Sequence, residues 1–351
     1  MIRVVVVDDS RVSREGLVEL LNADPDVEVV GTASNGQEAI GAVSRVRPDV
    51  ITMDIHMPVM NGYEATRRIM ETLPTPIVIV SGSSAPLEVA KTFRALEAGA
   101  LSVVEKPAGP GHPDRESTAH EVLRAVKLMS EVKVVRQWRR PQGGTFQPAT
   151  QMTKAPAELA TQAVEAVALG ASTGGPQALQ TLLKALRSDF AIPMLVVQHM
   201  APSFIHGFAE WLSETTGFRA RVARQGEAIL PGNIYLAPDR VHMGVRPGER
   251  IILIRDERAD GPCPSVAYLF RSMAAVYGSR SAGVLLTGMG KDGAQELKQM
   301  RQAGALTIAQ DEASSVIYGM PGEAFKLGAA TCVLSPESIA AALNALNHKL
   351  E

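Results

Sequence analysis

Residues 2–9 read Ile2-Arg3-Val4-Val5-Val6-Val7-Asp8-Asp9, four consecutive valines that end abruptly in two carboxylates. A strand with one wet face alternates apolar and polar residues, whereas an unbroken β-branched run suits a strand covered on both faces, as in a parallel sheet flanked by helices. Similar runs recur at Glu28 to Gly31, Val50 to Met53, Ile77 to Val80 and Leu101 to Val104, each followed by a turn and a helical stretch. Five βα units predict a doubly wound α/β domain over residues 1–130.

The rest of the chain leaves room for a second domain. At 351 residues, 46% hydrophobic and 21% charged, it carries enough apolar surface for two cores and is neither disordered nor fibrous. A net charge of -2 excludes the strongly basic footprint of a dedicated nucleic-acid binder. No apolar run approaches the roughly 20 residues that cross a bilayer, and Asp8-Asp9 interrupt the first one, so neither a membrane span nor a signal peptide is expected and the cytoplasm is the default. Cys263 and Cys332 lack the spacing of a zinc site or a disulfide framework.

Residues 131–163 change character: Lys133, Arg136, Arg139 and Arg140 surround Trp138, and a stretch rich in Pro, Gly, Gln and Thr follows. Such a segment reads as a linker, and its arginines as solvated charge rather than a DNA contact. Strand-like runs return at Val164 to Gly170, Met194 to Gln198, Ala282 to Thr287 and Leu306 to Ala309. Asn233 to Leu236 and Ile251 to Ile254 flank a Pro247-Gly248 turn and suggest a small antiparallel excursion. Residues 164–351 are therefore expected to form a doubly wound, mainly parallel α/β domain with a hairpin.

In the first domain Asp8 and Asp9 follow the first strand, Asp54 the third, Ser81 ends the fourth and Lys106 follows the fifth. The carboxyl ends of parallel strands share one edge, so these groups converge on one crevice. Crowded carboxylates need a counter-ion, and Mg²⁺ fits because it prefers oxygen ligands. A metal, an ammonium and a hydroxyl can hold a transferring phosphoryl group while a carboxylate attacks in line; Asp54 is the expected nucleophile. The set, with Met57-Pro58, Asn61-Gly62 and Lys106-Pro107, resembles the receiver domain of two-component response regulators. The resemblance implies a flavodoxin-like fold, phosphotransfer from a histidine kinase to Asp54, and Mg²⁺ held by Asp9, Asp54 and the His56 carbonyl with Asp8 nearby. Ser81 and Lys106 would read the phosphoryl group. Val103 departs from the pattern, standing where many receivers carry an aromatic switch residue.

In the second domain Gly170-Ala171-Ser172-Thr173-Gly174-Gly175-Pro176 joins a strand to a helix and contains G-x-S-x-G, a turn that lifts a serine above a sheet edge. His199 follows the next strand and Asp292 a later one, which predicts a triad in which Ser172 attacks, His199 carries the proton and Asp292 orients the imidazole. Backbone N–H groups of Gly288 to Gly290, Met289 foremost, are candidates for the oxyanion hole. Taken singly, Ser172 also reads as a turn residue, His199 as a core histidine and Asp292 as a helix N-cap. The order Ser, His, Asp differs from that of α/β-hydrolases.

Residues 166–346 instead resemble the catalytic domain of protein-glutamate methylesterases of bacterial chemotaxis, the CheB family. The matches are Gly170 to Pro176, Gln198-His199-Met200, Pro231 to Pro238, Gly288 to Gly293, Gln310-Asp311-Glu312 and Tyr318 to Gly322. The resemblance implies hydrolysis of γ-methyl glutamyl esters on chemoreceptor signalling domains, with glutamine deamidation, and activity controlled by phosphorylation of Asp54. No cofactor is expected at the esterase site, and a monomer is the default. Ala267 stands where the family more often has an acidic residue, and Ser81-Gly82-Ser83-Ser84 is a variant loop. Two competing readings are a second domain that binds a nucleotide or phosphorylated metabolite through Gly170 to Gly175 without catalysis, and action on a receptor-like target outside chemotaxis.

Overall fold

The computed structural model describes residues 1–82, 86–109, 111–132, 134, 163–255 and 261–346, with backbone alone for 86–91. The chain divides into two compact units, Met1–Phe146 and Gln147–Glu351, each described by itself. The expected linker, with Arg136, Trp138, Arg139 and Arg140, lies almost wholly outside the described residues, as do Ser83 and Ser84.

The first unit alternates strand and helix: β1 (Ile2–Val7), α1 (Arg11–Asn22), β2 (Val27–Ala33), α2 (Gly36–Val46), β3 (Val50–Met53), α3 (Gly62–Thr72), β4 (Ile77–Ser81), α4 (Pro86–Glu97), β5 (Ser102–Glu105) and α5 (Arg115–Ser130). The strands lie in the order β2-β1-β3-β4-β5 and every pairing is parallel, the expected flavodoxin-like arrangement. Valines 4–7 and residues 50–53 are buried, because helices cover both faces. Local chemistry starts the helices: the Ser10, Asn35 and Asn61 side chains accept the N–H of Ser13, Glu38 and Glu64 as N-caps. The strand order reverses between β1 and β3, which puts Asp8 and Asp54 at the crevice where such sheets take ligands.

In the second unit, β6 (Ala166–Ala171), α6 (Gly175–Ala185), β7 (Met194–Gln198) and α7 (Phe204–Thr216) come first. They are followed by β8 (Arg219–Val222), β9 (Asn233–Leu236), β10 (His242–Arg246), β11 (Arg250–Ile254) and α8 (Val266–Val276). Then come β12 (Ser281–Leu285), α9 (Ala294–Gln302), β13 (Leu306–Gln310), α10 (Met320–Lys326), β14 (Cys332–Leu334) and α11 (Pro336–Leu346). Seven strands form one sheet, β14-β13-β12-β6-β7-β9-β8, with all pairings parallel. Its order reverses at the β6–β12 boundary, so the ends of those two strands frame the ligand crevice.

The antiparallel excursion exists but has different arms from those expected. β10 pairs with β11, whereas Asn233–Leu236 joins the main sheet in parallel with β7 and β8. The turn at Gly248 (φ 86°) and Glu249 (φ 55°) closes the hairpin. Met243, Val245 and Ile251 pack with Val266, Leu269, Phe270 and Met273 into one core, which seats the hairpin on α8. Cys332 is buried and Cys263 exposed, and neither forms a disulfide.

Candidate functional site

Asp54 leaves β3 with its backbone N–H bonded to Val7 O (2.9 Å), which locks the β3 end to the β1 end. Its Oδ1 accepts the Ile55 N–H (2.7 Å) and its Oδ2 accepts from Lys106 Nζ (2.7 Å). The same ammonium lies 2.8 Å from Asp8 Oδ2, and the Lys106 N–H is held by Ser81 O (2.9 Å). Asp8 is further bound by the Ser10 N–H and the Ser13 hydroxyl (2.9 and 2.6 Å). Oxygens of Asp8, Asp9 and Asp54 all lie within 4.8 Å of one another. Burial pushes the Asp54 carboxyl upward and Asp8 adds to it, so the group is raised although Lys106 opposes the shift. Burial works to lower Lys106, but its bonds to Asp54 and Asp8 outweigh that and raise it.

The structure thus brings together Asp8, Asp9, Asp54, Lys106 and, on the neighbouring strand end, Ser81, whose Oγ is buried without a partner among the described residues. His56 is exposed just beyond Asp54. A Cβ on Gly62 would lie 1.9 Å from Asp54 O, which accounts for the Asn61-Gly62 pair. Three oxygen donors at this spacing suit a hard divalent cation, and an unpaired buried hydroxyl next to an ammonium suits an anionic oxygen.

The second site is built on strand register. β6 and β7 run in parallel with Ala171 opposite Gln198, so the next residues, Ser172 and His199, leave adjacent strand ends side by side. The His199 N–H donates to Ala171 O (2.9 Å) and the Ser172 N–H to Thr287 O (3.0 Å), tying three strand ends together. Gly174 takes φ 77° to turn the chain into α6, and a Cβ there would strike Val316.

His199 Nε2 lies 3.0 Å from Asp292 Oδ2. An ionised carboxylate only accepts, so Nε2 carries the proton and Nδ1 is the nitrogen that Asp292 leaves as an acceptor. Register sets the Ser172 and His199 backbones at adjacent strand ends; contacts between side chains so placed commonly tighten only on substrate binding.

Asp292 is not the cap of its own helix, because Gly293 holds that position. It sits instead at the N-terminus of α8: Oδ1 accepts from the Ser265 hydroxyl and the Ala267 N–H (both 3.0 Å), and Oδ2 accepts the Val266 N–H (2.7 Å). Burial alone would raise this carboxyl, but His199 and the amides of Ala267 and Val266 outweigh it and hold it below the usual carboxylate value. These amides escape a reading of the sequence, since only tertiary structure brings them to Asp292. Ser265 is the N-cap of α8, its side chain accepting the Tyr268 N–H, and its bond to Asp292 likewise comes only from tertiary structure. Residue 267 contributes its backbone amide, which alanine supplies as well as an acid.

Close packing requires glycine around this centre. A Cβ on Gly288 would lie 2.6 Å from Ser172 Cβ, and one on Gly170 or Gly293 would lie 2.3 or 2.4 Å from Val266 Cγ1. The Gly288 N–H is donated to Ile317 O (3.0 Å), which removes it from the oxyanion candidates. Met289 follows directly, with Gly319 packed so tightly that a Cβ there would approach Met289 Cα to 3.2 Å. Gln310 has a structural part: its Oε1 accepts the Thr287 N–H (2.7 Å) and its amide nitrogen donates to Ser314.

The fold and carboxylate cluster of the first unit define a response regulator, and the second unit is its α/β output module. Residues 4–112 match the response regulator receiver domain and residues 167–343 match CheB methylesterase. The chain is 54% identical over 99% of its length to the protein-glutamate methylesterase/protein-glutamine glutaminase of Nitrosospira multiformis, covering 97% of that protein. It is 53% identical, over 99% of both chains, to a Geobacter metallireducens protein of the same description. The crystal structure of the Thermotoga maritima CheB methylesterase catalytic domain superposes with a TM-score of 0.50 at 33% identity, over 52% of this chain and 98% of that one. The chain belongs to the CheB methylesterase family.

Proposed function

We propose that this protein is a phosphorylation-controlled serine esterase that hydrolyses γ-methyl glutamyl esters on chemoreceptor signalling domains and deamidates glutamines at the same positions. In this reading residues 1–130 are the receiver, 131–163 the linker and 164–351 the catalytic domain. The observation that carries it is the strand register that sets Ser172 beside His199, together with the 3.0 Å bond from His199 Nε2 to Asp292.

Ser172 Oγ attacks the ester carbonyl carbon while its proton passes to His199 Nδ1. Asp292 keeps Nε2 protonated and stabilises the imidazolium. The tetrahedral oxyanion accepts from the Met289 backbone N–H. Collapse breaks the carbon–oxygen bond to the leaving group, His199 returns the proton, and methanol departs; a glutamine substrate releases ammonia by the same steps. Water, deprotonated by His199, then attacks the acyl-serine and frees the glutamate carboxylate and Ser172.

Control enters at Asp54. A histidine kinase presents a phosphohistidine, the P–N bond breaks and a P–O bond forms to the Asp54 carboxylate. Asp9, Asp54 and the His56 carbonyl would hold Mg²⁺, with Asp8 tied nearby by Ser13 and Lys106, and the ion would offset negative charge as the phosphoryl group approaches. Lys106 and Ser81 then bind its oxygens. Among the described residues no helix is long and apolar enough to cross a membrane, in keeping with a cytoplasmic protein working on the inner ends of receptors.

The test is methanol release from methylated receptor membranes by the full chain with and without a phosphodonor. Ser172→Ala, which keeps the Cβ packed against Gly288, is expected to abolish release and labelling by a serine-directed phosphonate without lowering the melting temperature. Release by Ser172→Ala at the native rate would overturn the serine mechanism.

A further inference from the structure

Gln198 is the last residue of β7 and is 3% exposed. Its amide nitrogen donates to two backbone carbonyls, Ser172 O and His199 O, each at 2.8 Å. One buried side chain therefore bridges the residue that carries the nucleophile and the residue that carries the base. The bridge closes a small ring with the His199 N–H to Ala171 O bond, so residues 171–172 and 198–199 are joined by backbone and side chain together.

The orientation of the amide is decided by its neighbours, since two carbonyl oxygens can face only the NH₂ end. Its Oε1 is left buried with no hydrogen-bond partner among the described residues, pressed against the start of α6, where a Cβ on Gly175 would lie 2.1 Å away. A methionine or leucine would fill this space without burying an unpaired acceptor, so packing does not account for an amide at this position; the two bonds it donates do.

We propose that Gln198 is a positioning residue for ester hydrolysis, holding the Ser172 and His199 backbones at the separation from which Oγ reaches Nδ1. This inference rests on the reading of Ser172 and His199 as nucleophile and base. The last bond of the β6–β7 ladder, from the His199 N–H to Ala171 O, holds His199 to the residue before the serine, while the Ser172 N–H bonds Thr287 O, so the ladder makes no direct tie between Ser172 and His199. The glutamine adds its restraint at the reacting residues themselves.

The test uses the full chain, with Gln198→Met to keep the volume and remove both bonds, Gln198→Glu to keep the shape and replace the donor with an acceptor, and Ser172→Ala beside them. Gln198→Met is expected to lower kcat for methanol release by on the order of 10- to 100-fold, as misplacement of a reacting group by about 1 Å does. The rate of labelling by a serine-directed phosphonate should fall by the same factor, while KM and the incorporation of phosphate at Asp54 stay within about twofold. Gln198→Glu, which also lacks the donor, is expected to be no more active than Gln198→Met. A Gln198→Met enzyme with native kcat and native labelling rate, beside an inactive Ser172→Ala, overturns the positioning role and leaves the serine mechanism standing. An active Ser172→Ala overturns the mechanism on which the inference rests. A fall in kcat matched by equal loss of folded protein, with native labelling of the folded fraction, reduces Gln198 to a structural residue and also overturns the proposal.

Discussion

Replacing Asp292 with asparagine removes a charge while keeping the shape of the side chain, and it isolates what the carboxylate does for His199. Two unit charges 3.0 Å apart, the Nε2 to Oδ2 distance, interact by about 5.5 kcal/mol at an effective dielectric of about 20. That attraction exists only once the imidazole has taken the serine proton, so it acts on the transition state and hardly on substrate binding. Converted to a rate it is about 10⁴-fold, the scale on which triads respond to loss of the acid. Asparagine also offers an NH₂ group where Asp292 accepts four bonds. Whichever way its amide turns, one of the Val266 and Ala267 N–H groups faces a donor, and the second unit should lose about 1–3 kcal/mol.

The assay is methanol release from methylated receptor membranes under saturating substrate, with thermal unfolding and Asp54 phosphorylation as controls. The expected result is a kcat lower by 10³- to 10⁴-fold (about 4–5.5 kcal/mol), KM within about threefold and unchanged phosphorylation. Because the Asp292 carboxyl is held below its unfolded value, its contribution to stability is complete above the unfolded carboxylate value and disappears as pH falls through the lower folded one. Asp292→Asn should remove that part of the acid destabilisation. A folded Asp292→Asn enzyme within tenfold of the native kcat would refute the reasoning from the His199–Asp292 pair.

Other consequences are equally concrete. Gly288→Ala puts a Cβ 2.6 Å from Ser172 Cβ and 2.5 Å from Met320 Sδ, so kcat should fall by on the order of 100-fold with about 1–3 kcal/mol lost from the second unit, read by methanol release and urea unfolding. Asp54→Asn should abolish phosphate incorporation and the response to phosphodonor while leaving the basal esterase rate within about twofold; a retained response would place the acceptor elsewhere. The raised Asp54 carboxyl means that the unfolded chain loses this proton first, so its contribution to stability declines as pH rises from the unfolded carboxylate value to the folded one. Urea unfolding of Asp54→Asn should lack that decline.

Much of this architecture can be read along the chain because buried parallel strands announce themselves as apolar runs and the chemistry sits where the runs stop. Asp54 and His199 are each the first residue after such a run, and Ser172 is the second. Arg219–Val222 shows no run because β8 is an edge strand with Arg219 exposed. Asn233–Leu236 is the apolar run that precedes the Pro247-Gly248 turn and so reads as a hairpin arm, whereas the true arm, His242–Arg246, begins with a histidine and ends in an arginine. The position of Asp292 is legible, but its support is not, since the α8 terminus that binds it lies 25 to 27 residues upstream. Which imidazole nitrogen Asp292 takes is likewise a product of tertiary structure.

Val266 gives this arrangement its mechanical character. Its N–H grips the acid, and its methyl groups are wedged between the bare backbones of Gly170, on the strand that delivers the serine, and Gly293, on the loop that delivers the carboxylate. A single side chain thus fills the space against both the strand that ends at Ser172 and the loop that carries Asp292, and trimming this valine to alanine would open a void at both contacts at once.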